Sequence, residues 1–195
     1  MHHVPTTLRL LTEKDVPAAT ELSTQAGWSQ TPEDWRMLMR LDAKGCFGVE
    51  VEGRLVATTT LLCYGQALAW VGMVLTRIES RGRGFARNLL TTALARADQL
   101  GIATVKLDAT EQGQPVYEKL GFRAEQPVQR WFREASSQAA AQTAPQKTLG
   151  RACLDLDSEA FGADRSQLLV ELGKRSAIST KPGAYLFSRP GRVAD

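Results

Sequence analysis

The 195-residue sequence contains few of the residues that bind metals or form disulfides. Its three cysteines are Cys46, Cys63 and Cys153, and its two histidines stand together near the N-terminus. No Cys-x-x-Cys pair occurs, and an odd number of scattered cysteines argues against a disulfide framework. We therefore expect reduced thiols, no metal site and a cytoplasmic protein.

Long hydrophobic runs and a large excess of charge are also absent. No apolar stretch approaches the roughly 20 residues that a membrane-spanning helix needs, and the first residues show no secretory signal pattern. The net charge is +3, with 23% charged and 43% hydrophobic residues, which is ordinary for a globular protein. We expect neither a membrane nor a nucleic acid as partner.

What the sequence does contain is a strand–glycine–helix pattern at residues 69–100. An apolar run over residues 70–75 predicts a strand, and a polar turn follows over residues 76–80. Two glycines, Gly82 and Gly84, alternate with arginines, and apolar residues recur at helical spacing from Phe85 onwards.

This order of elements is typical of a site for a bound phosphate or diphosphate. The first amides of a helix have no partner within the helix, and they lie at its positive end. Such amides bind anions well. Gly82 and Gly84 would let a ligand approach the backbone, and Arg81 and Arg83 would add positive charge.

Several kinds of anion site are open to such a loop. A Walker loop is excluded because Gly84 is followed by Phe85 and Ala86 instead of Lys and Ser or Thr. A dinucleotide fingerprint needs a third small residue where Arg87 stands, and Asp108 is only a loose match for its acidic residue. Nucleic-acid phosphates could also contact a basic cluster, although no aromatic platform accompanies it. That cluster consists of Arg77, Arg81, Arg83 and Arg87.

Two motifs in order resemble those of a known family. Arg81-x-x-Gly84-x-Ala86 is similar to the pyrophosphate loop of the GNAT N-acetyltransferase superfamily, and the segment VYEKLGF at 116–122 resembles the second signature of that superfamily. The resemblance covers about residues 6–133. It implies an α/β fold with a mixed sheet, here the GNAT-like acetyltransferase fold with a short C-terminal appendage.

The resemblance also implies a function. We expect an acyltransferase that moves an acetyl group from acetyl-CoA, as co-substrate, to a primary amine by direct attack through a tetrahedral intermediate. The acceptor would be a small-molecule or peptide amine, and its identity stays open. A GNAT domain that only binds or senses acetyl-CoA is the alternative, with a dinucleotide-binding protein behind it. A homodimer is compatible with the sequence.

Site residues follow from the same resemblance. The backbone of Val74, Leu75 and Thr76 would pair with the pantetheine arm and polarise the thioester carbonyl. Tyr117 would be the general acid, because a phenol can protonate the leaving thiolate. Thr110 stands where the family often has Asn, so it keeps a hydroxyl but lacks the amide that bonds the pantetheine arm. The pyrophosphate would be held by Arg81, Gly82, Arg83, Gly84, Phe85 and Ala86.

Two further features of the first domain stay open. Trp28 and Trp35 flank the turn between the first two predicted helices, where they could bind the acceptor amine or pack in the core. The general base either acts through water or is one of four carboxylates. Those candidates are Glu50, Glu79, Asp108 and Glu111.

We predict a GNAT domain over residues 1–134, a linker over 135–147 and a partial second GNAT-like unit over 148–195. The linker is short of large apolar residues. The second unit would contain a helix near 164–174 and a strand over 183–188. Gly-Arg pairs at 53–54 and 191–192 suggest that it repeats part of the first domain, although a chance match explains the pairs equally well. The FGADR stretch at 161–165 resembles acetyltransferases that carry a second, degenerate GNAT-like unit. In the first domain we predict strands at 8–11, 45–51, 54–64, 103–107 and 122–132, with helices at 15–25, 31–41, 85–100 and 111–120.

Overall fold

The computed structural model describes residues 5–129 and 148–189. These residues form two units: a first that ends at Leu107 and also includes Gly162–Asp164, and a second that comprises the other described residues from Asp108 onwards. The predicted linker and the Gly-Arg pair at 191–192 lie outside the described residues. No helix among residues 5–129 and 148–189 is long and apolar enough to cross a membrane.

The first unit consists of a mixed sheet and three α-helices. The strands lie in the order β1-β2-β3-β4-β5, antiparallel from β1 to β4, whereas β5 is parallel to β4. The connection between β4 and β5 runs through α3, so the predicted crossover and the predicted mixed α/β fold are confirmed. The elements are β1 (Thr6–Leu10), α1 (Val16–Gln25), α2 (Pro32–Leu41), β2 (Cys46–Val51), β3 (Arg54–Tyr64), β4 (Leu68–Thr76), α3 (Phe85–Gln99) and β5 (Thr104–Leu107).

Local sequence signals explain the boundaries of these elements. Thr31 begins α2 by donating to the Asp34 carboxylate from both its amide (2.8 Å) and its hydroxyl (2.9 Å), and Pro32 occupies the first turn. Between β2 and β3, Glu52 and Gly53 both take positive φ (51° and 78°), as the tightest hairpin turns require. Both features lie where the sequence predicts them.

The helices α1 and α2 pack together through Trp35. This side chain is 1% exposed, and its indole N–H donates a 3.0 Å hydrogen bond to the Ser23 hydroxyl on α1. Trp28 is half-buried against the same cluster of core residues. Of the two tryptophans considered for acceptor binding, Trp35 is therefore a core residue.

The second unit contains short elements: α4 (Gln114–Glu118), α5 (Arg151–Phe161), α6 (Ser166–Gly173), β6 (Ala177–Lys181) and β7 (Ala184–Ser188). The strands β6 and β7 form an antiparallel hairpin. The predicted helix and strand in this part, α6 and β7, are confirmed, whereas α5 and β6 have no counterpart among the predictions.

Of two predictions between β5 and α5, the helix is confirmed over a shorter range and the strand is wrong for the described residues. The predicted helix over 111–120 shrinks to α4, because Pro115 belongs in a first helical turn and Gly121, at φ 90°, follows the last one. The predicted strand over 122–132 does not form at residues 122–129, which carry no regular structure. Half of that stretch is polar, and Pro127 lacks the N–H that a sheet needs. Residues 130–132 lie outside the described part.

Candidate active site

The strand β4 contains a bulge at Met73. On β3, Thr58 pairs with Leu75 and Thr60 pairs with Gly72, so β4 has one residue more than β3 between these pairs. Met73 takes a φ of +49°, which is uncommon for a residue other than glycine and costs on the order of 1 kcal/mol. Such local strain is most often retained at functional sites.

Past the bulge, β4 continues beyond the end of its parallel neighbour. The pairs between the two strands run from Leu68 with Thr104 to Val71 with Leu107, where β5 ends. Residues 72–76 of β4 therefore have β3 on one side and, among the described residues, no strand on the other. The predicted cofactor residues Val74, Leu75 and Thr76 all lie in this part of β4, where an extended ligand could pair with the backbone.

The connection from β4 to α3 contains a group of amides that have no hydrogen-bond partner among the described residues. Gly82 and Gly84 both take positive φ (74° and 81°), and a Cβ built on either of them would meet no atom within 4 Å. Gly84 is the residue that precedes α3, and no side chain caps the helix there. Within residues 5–129 and 148–189, no group accepts a hydrogen bond from the amides of residues 82–86. These amides, at the positive end of a 15-residue helix, suit a bound diphosphate.

Two arginines of this connection are exposed. Arg81 donates from Nε to the carbonyl oxygen of Thr76 at 3.3 Å, which ties the turn to the end of β4. The guanidinium of Arg83 lies over the ring of Phe85, 4.9 Å from its centroid. Phe85 itself is buried. Each guanidinium keeps donors on the exposed side of the loop for an anionic ligand.

Arg77 does not belong to this exposed group. The prediction of a basic cluster of four arginines is therefore wrong for Arg77. Its side chain is 1% exposed and donates to both carboxylate oxygens of Glu21 on α1, at 2.8 and 2.9 Å. Its amide also bonds to the carbonyl oxygen of Val56 at 2.8 Å. Arg77 therefore fixes the turn against α1 and β3, and the hydrogen bond from its guanidinium holds the pKa of Glu21 below its usual value.

The candidate general acid, Tyr117, lies on α4 in the second unit. It is 8% exposed, and its ring packs edge-on against Phe122 with centroids 6.1 Å apart. Burial raises the pKa of its phenol above the usual value near 10, so the hydroxyl keeps its proton at neutral pH. Among the described residues, no group forms a hydrogen bond with this hydroxyl.

Thr110 lies in the segment before α4, also in the second unit. Its hydroxyl accepts a 3.2 Å hydrogen bond from the amide of Gly113, and its carbonyl oxygen accepts from Gly113 and Gln114 at 2.9 Å. These contacts fix the turn that leads into α4, whose N-cap is Gly113. Its predicted contact with the pantetheine arm stays a prediction.

Two of the four candidate bases are paired with arginines. Glu50 accepts two hydrogen bonds from Arg9, at 3.0 and 2.7 Å. Glu79 lies 3.3 Å from a guanidinium nitrogen of Arg54. Asp108 and Glu111 are exposed. In the described part of the chain, no group of three His, Cys, Asp or Glu residues could hold a metal ion.

A family comparison decides what kind of protein carries this arrangement. A sequence profile of the acetyltransferase (GNAT) family matches residues 10–122, which is more than half of the chain. The chain belongs to the GNAT acetyltransferase family.

Known relatives of this GNAT protein agree with that membership. This chain is 28% identical to YitH of Bacillus subtilis, an uncharacterised N-acetyltransferase, and the match covers 83% of this chain. It spans 58% of the length of YitH.

Solved structures share the fold of this GNAT protein at low sequence identity. A Pyrococcus horikoshii protein described as an acetyltransferase superposes with a TM-score of 0.74 at 18% identity, over 91% of this chain and 68% of the other. Rv2747 of Mycobacterium tuberculosis, solved in complex with CoA, superposes with a TM-score of 0.54 at 17% identity, over 63% of this chain and 76% of its own.

The GNAT family carries out acyl transfer with acetyl-CoA as co-substrate. The residues of the candidate site are therefore interpreted in terms of that reaction. The first unit brings together the loop and the open part of β4. Sequence reasoning missed the contacts that hold them in place, which are the Arg77–Glu21 pair and the hydrogen bonds from β3 to the bulge. A run of three threonines within an apolar strand, residues 58–60, was the available signal.

Proposed function

We propose that this GNAT protein transfers the acetyl group of acetyl-CoA to a primary amine. The observation that carries the proposal is the group of free amides at residues 82–86, which start α3 next to the unpaired part of β4. Coenzyme A has a diphosphate and an extended pantetheine arm. The free amides before α3 match the diphosphate, and the unpaired part of β4 matches the pantetheine arm. Gly82 and Gly84 leave room for the diphosphate, because neither has an atom within 4 Å of its missing Cβ position.

The chemistry then needs a polarised thioester carbonyl. In the proposed complex the pantetheine arm extends β4 as an added strand beside residues 74–76. A backbone N–H from Val74, Leu75 or Thr76 donates to the carbonyl oxygen, which gains negative charge as the amine attacks. The amine nitrogen forms its bond to the carbonyl carbon through a tetrahedral intermediate, and the carbon–sulfur bond breaks.

Tyr117 protonates the leaving thiolate in this proposal. Its pKa is raised by burial, so the phenol carries the proton that the sulfur needs. Its hydroxyl has no hydrogen-bond partner among the described residues, which favours a catalytic role over a structural one. The same observation favours an enzyme over a domain that only senses acetyl-CoA. The attacking amine loses its proton to water or to a carboxylate.

The names of relatives support this direction without identifying the acceptor. YitH is named an N-acetyltransferase, and Rv2747 was solved with CoA bound. A dinucleotide is the weaker candidate for the loop, because the bulky Arg87 stands where its fingerprint needs a small residue.

We also propose that residues 148–195 form a partial second GNAT-like unit. The order α5-α6-β6-β7 repeats the order α1-α2-β2-β3 of the first unit. The fold similarity to the Pyrococcus horikoshii protein leaves only 9% of the chain uncovered, so it extends into this part.

Binding and turnover test the proposal in two steps. Calorimetric titration should detect acetyl-CoA and coenzyme A with a Kd in the range of about 1 μM to 1 mM, and NAD should not bind. A panel of small amines, amino acids and peptides, assayed by released thiol, should then identify an acceptor. Failure to bind acetyl-CoA would overturn the proposal, and binding without turnover on any amine would support a sensor.

A further inference from the structure

Thr58 on β3 contacts β4 at its strained residue. The Thr58 side chain is fully buried, and its hydroxyl donates a 2.8 Å hydrogen bond to the carbonyl oxygen of Met73. Met73 is the residue at which β4 takes positive φ and the register shifts. Backbone carbonyls of paired strands normally accept from the backbone of the neighbouring strand. Here a side-chain hydroxyl replaces a ladder bond that the bulge disrupts.

The two residues after Thr58 contribute to the same place. The hydroxyl of Thr59 donates to the carbonyl oxygen of Gly72 at a longer 3.4 Å, and a Cβ on Gly72 would lie 3.3 Å from the hydroxyl of Thr60. Both threonines are at most 2% exposed. Buried hydroxyls need acceptors, and the carbonyls of Gly72 and Met73 supply them for Thr59 and Thr58. The bond from Thr58 is the shortest of these contacts and the one made to the strained residue.

We propose that Thr58 is a positioning residue for acyl transfer. By holding the carbonyl of Met73, it fixes the bulge and with it the direction in which β4 presents the amides of residues 74–76. The inference rests on the proposed function, in which one of these amides polarises the thioester carbonyl. Thr58 itself touches no reacting atom. Without its hydroxyl the bulge can relax, and a displacement of about 1 Å is enough to impair a catalytic contact.

Polarisation can be measured before the acceptor is known. The carbonyl stretch of isotopically labelled acetyl-CoA, measured by infrared difference spectroscopy on the full chain, falls in frequency when an N–H donates to the carbonyl oxygen. Thr58→Val keeps the shape of the side chain and loses the hydroxyl, whereas Thr58→Ser keeps the hydroxyl. Thr92→Val is the matched control, because the Thr92 hydroxyl donates a 3.0 Å bond to the Asn88 carbonyl on the exposed surface of α3.

We expect the wild type, Thr58→Ser and Thr92→Val to lower the carbonyl frequency equally, and Thr58→Val to retain less than about half of that shift. Once an acceptor is known, kcat of Thr58→Val should fall about tenfold with a smaller change in the KM for acetyl-CoA, because the hydrogen bond to the carbonyl oxygen strengthens as negative charge develops in the transition state. The melting temperature and the Kd for acetyl-CoA identify any variant that is simply unfolded.

Failure of the inference differs from failure of the proposed function. A full shift in folded Thr58→Val, or equal losses in Thr58→Val and Thr58→Ser, would overturn the role of Thr58 alone. A wild-type protein that binds acetyl-CoA without any shift would overturn polarisation by β4, and the inference with it.

A second variant keeps the test decisive if Thr58→Val does not fold. Glycine takes positive φ without strain, so adding Met73→Gly to Thr58→Val should restore folding and most of the frequency shift. A double variant that recovers neither would show that Thr58 does not act by holding Met73.

Discussion

The turn before α3 and the turn before α6 contain the same kinds of residues, but their arginines have different partners. Each has a glycine at positive φ, Gly84 at 81° and Gly162 at 82°. Each has a guanidinium over a phenylalanine ring, with Arg83 4.9 Å from the centroid of Phe85 and Arg165 4.1 Å from that of Phe161. Among the residues that the structure describes, only the arginine of the second turn is paired with a buried carboxylate.

That carboxylate, Asp157 on α5, decides what the second arginine can do. It is 4% exposed and accepts two hydrogen bonds from Arg165, at 2.9 and 2.7 Å, and one from the hydroxyl of Tyr185. The guanidinium of Arg165 is thus neutralised within the protein and joins α5, α6 and β7. Arg83 has no such partner among the described residues, so its charge is available to a ligand. Whether such a turn stabilises the fold or can bind a ligand depends on whether its hydrogen-bond donors already have acceptors within the protein.

Two tyrosines of the second unit also differ in whether their hydroxyl already has a hydrogen-bond partner. Burial raises the pKa of both phenols. The hydroxyl of Tyr185 is bonded to Asp157, whereas that of Tyr117 has no described partner. We assign a structural role to Tyr185 on this ground, and paired variants can test the proposed catalytic role of Tyr117.

The largest effect should come from Tyr117→Phe. Removing a general acid lowers turnover by about 100-fold, while the Kd for acetyl-CoA should barely change because the ring remains. Steady-state kinetics with an identified acceptor and calorimetry measure the two quantities. Tyr185→Phe is the control, and it should keep full turnover and lose some thermal stability. Full activity of Tyr117→Phe would remove this residue from the mechanism.

Asp157→Asn should have the next largest effect, a loss of about 2 kcal/mol in the free energy of unfolding, since it leaves the partly buried Arg165 without its charged acceptor. Chemical denaturation measures this loss. Asp155→Asn on the same helix is the control, because its pair with Arg151 is exposed on both sides and contributes little. Equal losses in the two variants would contradict the structural role of the buried carboxylate.

Gly84→Ala should weaken acetyl-CoA binding about tenfold, because a methyl group enters the space that the diphosphate needs. Gly162→Ala has nearly the same φ and the same open surroundings. Both variants should therefore lose a similar stability, on the order of 1 kcal/mol, and only the first should lose affinity. Calorimetric titration separates them, and equal affinities would count against the loop as the diphosphate site.

The smallest effect concerns pH. The hydrogen bonds from Arg165 lower the pKa of Asp157 in the folded protein. The carboxylate therefore adds stability above its unfolded-state pKa of about 3.9, and this stability is lost as the pH falls through the folded-state pKa. The difference in unfolding free energy between wild type and Asp157→Asn should be constant near neutral pH and shrink below about pH 4. A difference that stays constant down to pH 2 would contradict this assignment.

The elements whose sequence signals lie within one short segment could be predicted from the sequence. The apolar run of β4, the two glycines and the periodicity of α3 lie within about thirty residues, and these elements form as predicted. The capping pattern at Thr31 likewise predicts the start of α2.

Features that depend on distant residues were not predictable in this way. Arg77 looks like a member of a basic cluster until α1 brings Glu21, 56 residues earlier, against it. Asp157 resembles an ordinary solvated acid, and its burial depends on Tyr185, 28 residues later. The bulge at Met73 has no signature within β4, because the donor that holds it is on β3.

The free amides at residues 82–86 have a genetic consequence. Every amino acid except proline carries the same backbone N–H, so codon changes in this segment alter space and charge but rarely delete a donor. An alanine scan would report the changes in space and charge at these positions and would miss the amides themselves, even if each amide held a phosphate oxygen. Backbone ester substitution, which replaces a single N–H by oxygen, is the perturbation that such a loop cannot absorb.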